Sequence, residues 1–162
     1  MTIAIGDRLP DATLRFMGAD GPSEVTVSDL TTGKSVVLFG LPGAFTGTCT
    51  TAHLPSFIRT KDAFASKGID DVVCVSVNDV FVMQEWAKST GADAAGITML
   101  CDTDSSFAKA LGLDFDAPPV GLLGRMKRFA MVVKDGEVTV LNIEENPGVC
   151  ELSAGETILD AI

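Results

Sequence analysis

Two short runs of β-branched and apolar residues constrain the fold of this 162-residue chain more than any other feature. Residues 35–39 and 72–77 have the composition of strands that are buried on both faces of a sheet. Each run precedes a segment with apolar residues at helical spacing, from about residue 49 to 67 and from 79 to about 89. This alternation predicts parallel strands joined by helices, which is an α/β layer architecture.

Shorter elements complete the predicted sheet. Further strands are expected at residues 12–16, 24–27 and 97–101. Asp135-Gly136 is a strong two-residue hairpin signal between apolar runs at residues 128–133 and 137–143. A central mixed sheet flanked by helices, with hairpins at the N-terminal and C-terminal ends, fits a thioredoxin-like fold. We expect residues 1–162 to form one such domain.

Polar residues and prolines mark the expected helix ends. Asp102 is expected to cap a helix over residues 103–111. Ser153 with Glu156 three residues later predicts a capping box at the start of the last helix. Pro55 lies inside the first long helix, where it should kink the helix or shift its start.

The charge and hydropathy of the chain exclude several classes of function. The net charge of -10 opposes binding to nucleic acid or to an anionic membrane. The longest apolar runs are far shorter than the ~20 residues that a membrane-spanning helix needs. The first residues lack the basic start and apolar stretch of a signal peptide, so a cytoplasmic location is expected.

The four cysteines point to redox or catalytic chemistry rather than to a disulfide framework. They stand at positions 49, 74, 101 and 150 with no Cys-x-x-Cys pair. The chain has one histidine, so a zinc site of the usual type would have to gather cysteines from distant segments. We therefore expect neither a metal nor another cofactor.

Cys49 has the most informative surroundings. It follows a buried strand and opens a helix, where free N–H groups favour thiolate over thiol. Thr46 can bring a hydroxyl to the sulfur, and Pro42 can stiffen the loop and shield it. Each residue also has an ordinary alternative, as a buried apolar thiol, a helix cap or a turn residue. Taken together, their spacing favours function.

The spacing Pro-x-x-x-Thr-x-x-Cys over Pro42, Thr46 and Cys49 resembles the peroxidatic motif of the peroxiredoxins. The longer string Pro-Gly-Ala-Phe-Thr…Cys…His-Leu-Pro-x-Phe is similar to the type II subfamily, as are blocks at residues 75–83, 107–112 and 127–133. The resemblance implies a thiol peroxidase that reduces hydrogen peroxide and organic hydroperoxides through a sulfenic acid on Cys49.

The resemblance also implies roles for the neighbours of Cys49. Thr46 would bind the peroxide, Pro42 would limit access to the thiolate, and the backbone of Thr48 would contact substrate. Arg128 would hold its guanidinium against the thiolate and the peroxide oxygens, although on its own it has the pattern of a solvated charge at a strand start. His53 follows Cys49 by four residues, which raises a Cys–His pair as the alternative, but a structural role, or one that supports the residues around the sulfur, is expected.

The thiol that reduces the sulfenic acid is left open. Cys74 follows Cys49 by 25 residues and resembles the resolving position of plant-type members, although it lies in an apolar strand. Cys150 lies near the last helix, where mammalian-type members keep their resolving cysteine, and Cys101 is expected to be structural. Glutathione with glutaredoxin, or thioredoxin, would supply the reducing equivalents.

The expected assembly follows from the resemblance to the type II subfamily. Phe45, Val80 and Phe81 match the positions through which type II relatives pair, so we expect a homodimer, with core packing as the alternative.

Two other functions are considered for the same fold. A thiol–disulfide oxidoreductase is disfavoured, because it would need the Cys-x-x-Cys pair that this chain lacks. A redox sensor without turnover is the other alternative, and fast peroxide consumption would distinguish the enzyme from it.

Overall fold

The two buried apolar runs form neighbouring parallel strands at the centre of the sheet. The computed structural model describes residues 1–162. Its strands are β1 (Thr13–Gly18), β2 (Gly21–Thr26), β3 (Ser35–Gly40), β4 (Asp71–Ser76), β5 (Thr98–Cys101), β6 (Asp114–Ala117), β7 (Leu122–Met126), β8 (Phe129–Lys134) and β9 (Glu137–Ile143). Its α-helices are α1 (Val27–Thr31), α2 (Leu54–Ser66), α3 (Val80–Thr90), α4 (Ser106–Leu111) and α5 (Gly155–Asp160). A π-helical turn (Cys49–His53) and a 3₁₀ turn (Pro118–Val120) complete the set.

Seven strands form one mixed sheet, which confirms the predicted architecture. Their order is β2-β1-β5-β4-β3-β8-β9, and β6 pairs with β7 in a separate two-stranded sheet. Strand β4 is parallel to β3 and β5, while β8 is antiparallel to β3. The loop after β3 therefore begins at the carboxyl edge of the parallel strands, where α/β folds commonly place their binding sites.

The core lies on both faces of this sheet because side chains alternate along each strand. On β3, Val37 and Phe39 pack in the layer that contains α2, whereas Val36 and Leu38 pack in the layer on the opposite face. Both layers are fully buried at these positions. None of the helices is long and apolar enough to span a membrane.

Asp102 caps α4 as predicted, although this helix begins later than expected, whereas the capping box predicted for the last helix is wrong. Helix α4 begins at Ser106 rather than 103, and the Asp102 carboxylate accepts hydrogen bonds from the N–H groups of Phe107 and Ala108. Ser153 does not form a capping box with Glu156, because α5 begins after it, at Gly155. Its hydroxyl donates to the Glu144 carboxylate instead.

Several short elements depart from the expected bounds. The strand expected to reach residue 27 ends at Thr26, whose hydroxyl accepts from the N–H of Asp29 and caps α1. Neither α1 nor the β6–β7 pair was predicted. The Asp135-Gly136 hairpin is confirmed, with both residues at positive φ as a two-residue turn requires.

Candidate active site

Cys49 opens the π-helical turn that links the loop after β3 to α2. The N–H of Leu54 donates to the Cys49 carbonyl across five residues, which is the bonding pattern of a π-helix. Pro55 follows at once, and it has no N–H for a regular α-helical bond to the carbonyl of Thr51. The predicted helix from residue 49 is therefore divided into a wide first turn and a regular α-helix.

The sheet register brings Arg128 to this turn. Gly40 at the end of β3 pairs with Phe129 at the start of β8, so residue 128 lies beside the loop that leads to Cys49. The Arg128 Nη2 donates to the Cys49 Sγ at 3.2 Å. Both residues are buried, with exposed fractions of 1% and 0%. The guanidinium therefore faces the sulfur in a water-poor site, where a positive charge interacts strongly with a nearby anion.

The Arg128 guanidinium has three hydrogen-bond partners. The carbonyl of Pro147 accepts from Nε at 3.1 Å and from Nη2 at 2.8 Å. The Nδ1 of His53 lies 3.0 Å from Nη1, and the sulfur of Cys49 is the third partner. The two ion pairs in the structure join other residues, so no carboxylate lies within ion-pair distance of Arg128.

The loop before Cys49 is fixed by hydrogen bonds to its backbone. Thr46 Oγ1 donates to the Gly43 carbonyl at 2.7 Å, and Arg125 Nη1 donates to the Pro42 carbonyl at 3.0 Å. The hydroxyl of Thr48 donates to the carbonyl of Gly148 at 2.9 Å, which ties the loop to the segment before α5. Pro42, Thr46 and Thr48 therefore lie in one ordered loop that leads to the sulfur.

The remaining cysteines are free thiols in different surroundings. Burial raises the pKa of Cys74 well above its usual value, and Cys74 lies in the same apolar layer as Cys49. Burial also raises the pKa of Cys101, to about 12. Cys150 is half-buried in the segment before α5, and burial raises its pKa too. None of these three thiols is activated as a nucleophile in this conformation.

Comparison with known proteins agrees with this geometry. The Redoxin family matches residues 4–159. Peroxiredoxin-2E-2, chloroplastic, from Oryza sativa subsp. japonica is 46% identical over 165 residues, which cover 99% of this chain and 73% of that protein. Peroxiredoxin-2C from the same plant is 46% identical over 161 residues, which cover 99% of this chain and 98% of that protein. The chain is a type II peroxiredoxin.

The fold of this peroxiredoxin agrees with solved structures of the family. Reduced Prx3 of Vibrio vulnificus in complex with hydrogen peroxide superposes with a TM-score of 0.93 at 47% identity, and 99% of each chain is covered. The match confirms the thioredoxin-like fold. As a member of this family, the protein is a thiol-dependent peroxidase.

His53 is a residue of the peroxiredoxin site whose partner was not predicted from the sequence. Pattern and resemblance indicated Cys49 and Arg128, which are in contact, and the loop residues before Cys49. They gave His53 a structural or supporting role without naming its partner, and the structure shows that its ring contacts the guanidinium of Arg128. The spacing of four residues between Cys49 and His53 was the only sequence signal for this contact.

Proposed function

We propose that the Cys49 thiolate is the group that attacks hydrogen peroxide and organic hydroperoxides. The contact of 3.2 Å between Arg128 Nη2 and Cys49 Sγ, with both groups buried, carries this proposal. The thiolate sulfur forms a bond to the terminal peroxide oxygen while the O–O bond breaks. The electron pair of that bond leaves on the second oxygen, which takes up a proton to give water or an alcohol. Cys49 is left as a sulfenic acid.

Residues before Cys49 are proposed to bind the peroxide. The hydroxyl of Thr46 donates its hydrogen to the Gly43 carbonyl, so its oxygen is left to accept a hydrogen bond from the peroxide O–H. The backbone of Thr48 donates to the substrate at the start of the helix. Pro42 restricts access to the sulfur, in a position held by Arg125. Arg128 gathers the charge that develops as the O–O bond breaks.

The sulfenic acid is then reduced by a second thiol. Cys74 is an internal candidate because it shares the buried layer of Cys49, and Cys150 is a candidate because it is half-buried in the segment that carries Pro147. Both thiols need a local opening before they reach disulfide distance of Cys49. Glutathione with glutaredoxin, or thioredoxin, completes the cycle. We propose a cytoplasmic location, because a reducing compartment keeps free thiols such as these four reduced.

A homodimer is the proposed assembly. Phe45 and Phe81 expose 55% and 66% of their surface, which is unusual for aromatic side chains in a monomer. Phe45 belongs to the loop before Cys49, and Phe81 lies in the first turn of α3. Val80, which was expected at the same surface, is buried in the core and is therefore not part of the proposed interface. A second copy that covers these two rings would also shield the mouth of the site from water.

Substitution of Cys49 tests the central role. Cys49→Ser should abolish peroxide consumption in the presence of a thiol reductant, because a hydroxyl at this site does not ionise to a comparable nucleophile. Arg128→Ala should slow the peroxide step by roughly 10²–10³, the cost of one preorganised donor. Cys101→Ser is the matched control and should keep the activity, since Cys101 is buried in β5. Substantial turnover by the Cys49 variant would refute the proposal.

A further inference from the structure

His53 occupies a closed position between Arg128 and the segment before α5. Its ring is fully buried and contacts Phe39 and Phe57 at centroid distances of 5.1 and 5.6 Å. The Nε2 lies 3.0 Å from the carbonyl oxygen of Ser153, and Nδ1 lies 3.0 Å from Arg128 Nη1. Both ring nitrogens therefore have one partner each.

These two partners fix the protonation state of the ring. A carbonyl oxygen only accepts, so Nε2 must carry the hydrogen that it shares with Ser153. A guanidinium only donates, so Nδ1 must present its lone pair to Arg128. An imidazolium would set an N–H against an N–H at Nδ1, and burial together with the charge of Arg128 lowers the pKa of His53 to about 3. The two partners therefore require a neutral ring that carries its hydrogen on Nε2.

The Ser153 carbonyl is held in turn by Glu144. The carboxylate of Glu144 accepts from the N–H groups of Glu151, Leu152 and Ser153 at 2.9 to 3.2 Å, and from the Ser153 hydroxyl at 2.7 Å. These bonds fix the backbone that faces His53. Glu144 is the only carboxylate in this network, and it accepts hydrogen bonds from backbone N–H groups and a hydroxyl rather than from the guanidinium of Arg128.

We infer that His53 is a positioning residue for peroxide reduction, which holds Arg128 against the Cys49 sulfur as an uncharged acceptor whose orientation is set by Ser153 and Glu144. A carboxylate at this place would fix the guanidinium equally well but would neutralise it. A neutral imidazole fixes it and leaves its whole charge to the sulfur and the peroxide. This inference rests on the proposed roles of Cys49 and Arg128.

Two substitutions of His53 by an amide side chain test its contacts with Arg128 and with Ser153 separately. His53→Asn places an amide oxygen near the position of Nδ1 and keeps an acceptor for Arg128, but it does not reach Ser153. His53→Gln places an amide nitrogen near the position of Nε2 and keeps the donor to Ser153, but it offers Arg128 no acceptor at Nδ1. His53→Ala removes both contacts. Near-ultraviolet circular dichroism of each variant identifies those that fold.

The measured quantities are the second-order rate constant for hydrogen peroxide and its pH profile. The Gln and Ala variants should be slower by roughly tenfold, below the full effect of a lost donor because Pro147 still holds Arg128, and the rise of the profile should move to higher pH. The Asn variant should recover most of the rate lost in the Ala variant. A Gln variant that is faster than the Asn variant would overturn the inference.

A measurement on the unaltered enzyme does not depend on the folding of any variant. His53 is the only histidine in the chain, so ¹⁵N labelling of histidine gives a single unambiguous ring signal. The reduced protein should show the Nε2–H tautomer from about pH 5 to pH 9 without titration. An Nδ1–H tautomer or an imidazolium would overturn the inference. Loss of turnover in Cys49→Ser, measured in parallel, tests the proposed function separately.

Discussion

Mild acid should destabilise this protein through His53. Burial of the ring and the nearby charge of Arg128 lower its pKa from 6.5 to about 3. The unfolded chain takes up a proton on this ring below about pH 6.5, whereas the folded protein does not. The stabilising contribution of the neutral ring is therefore fully present above pH 6.5 and is lost as the pH falls from 6.5 towards 3.

The size of the effect follows from the width of this pH window. Each pH unit below 6.5 removes about 1.4 kcal/mol from the free energy of unfolding as long as the folded ring stays neutral. At pH 5 the loss is therefore about 2 kcal/mol relative to pH 7.5. Arg128 is the charged group in contact with the ring, and the other contacts are Phe39, Phe57 and the Ser153 carbonyl.

Urea unfolding at pH 7.5, 6 and 5 measures this loss against a matched variant. His53→Asn has no titrating ring but keeps every carboxylate, so the carboxylates contribute alike to both proteins. The unaltered protein should lose about 2 kcal/mol more than the variant between pH 7.5 and 5. Equal losses in the two proteins would show that the ring already accepts a proton in the folded state, and would refute the reasoning.

Three further predictions concern resolution, assembly and packing. Oxidation with one equivalent of peroxide, followed by peptide mapping without reductant, should reveal a Cys49–Cys74 disulfide within one chain. A Cys49–Cys150 link would move the resolving role to the segment before α5, and a persistent sulfenic acid would assign it to an external thiol. Light scattering of the reduced enzyme at tens of micromolar should give the mass of a dimer, and a monomer mass would contradict the proposed assembly. Thr50→Val should lower the free energy of unfolding, measured in urea, by about 1–3 kcal/mol, because the buried Trp86 Nε1–H loses its acceptor. An unchanged free energy of unfolding would mean that the indole finds another partner.

The central sheet could be predicted from the sequence because its signals are local. Strands β3 and β4 are continuous apolar runs, and a two-residue turn joins β8 to β9. The β6–β7 pair gave no such signal, since its alternation is short and a bulge interrupts the pairing after Phe115. The start of α4 was misplaced because Asp102 bonds to N–H groups five and six residues later instead of to the next turn.

The residues of the active site also differ in whether a local sequence signal identifies them. Cys49, Thr46 and Pro42 belong to one contiguous motif and could be identified from their spacing. The contact between His53 and Arg128 joins residues that are 75 positions apart, and it depends on the register of β8 against β3. Pro147 gave no signal, because it contributes a backbone carbonyl that any residue in its place would also carry.

The backbone contacts of the segment before α5 determine how that segment tolerates mutation. Pro147 holds Arg128, Gly148 holds Thr48 and Ser153 holds His53, each through a carbonyl oxygen. Exposed side chains between these carbonyls can be substituted without loss of these contacts, because the acceptors belong to the backbone. Deleting a single residue between 148 and 153 would shift the spacing of the carbonyls and misalign the site, although every catalytic side chain would remain. We therefore expect this segment to tolerate substitutions of its exposed side chains far better than changes in its length.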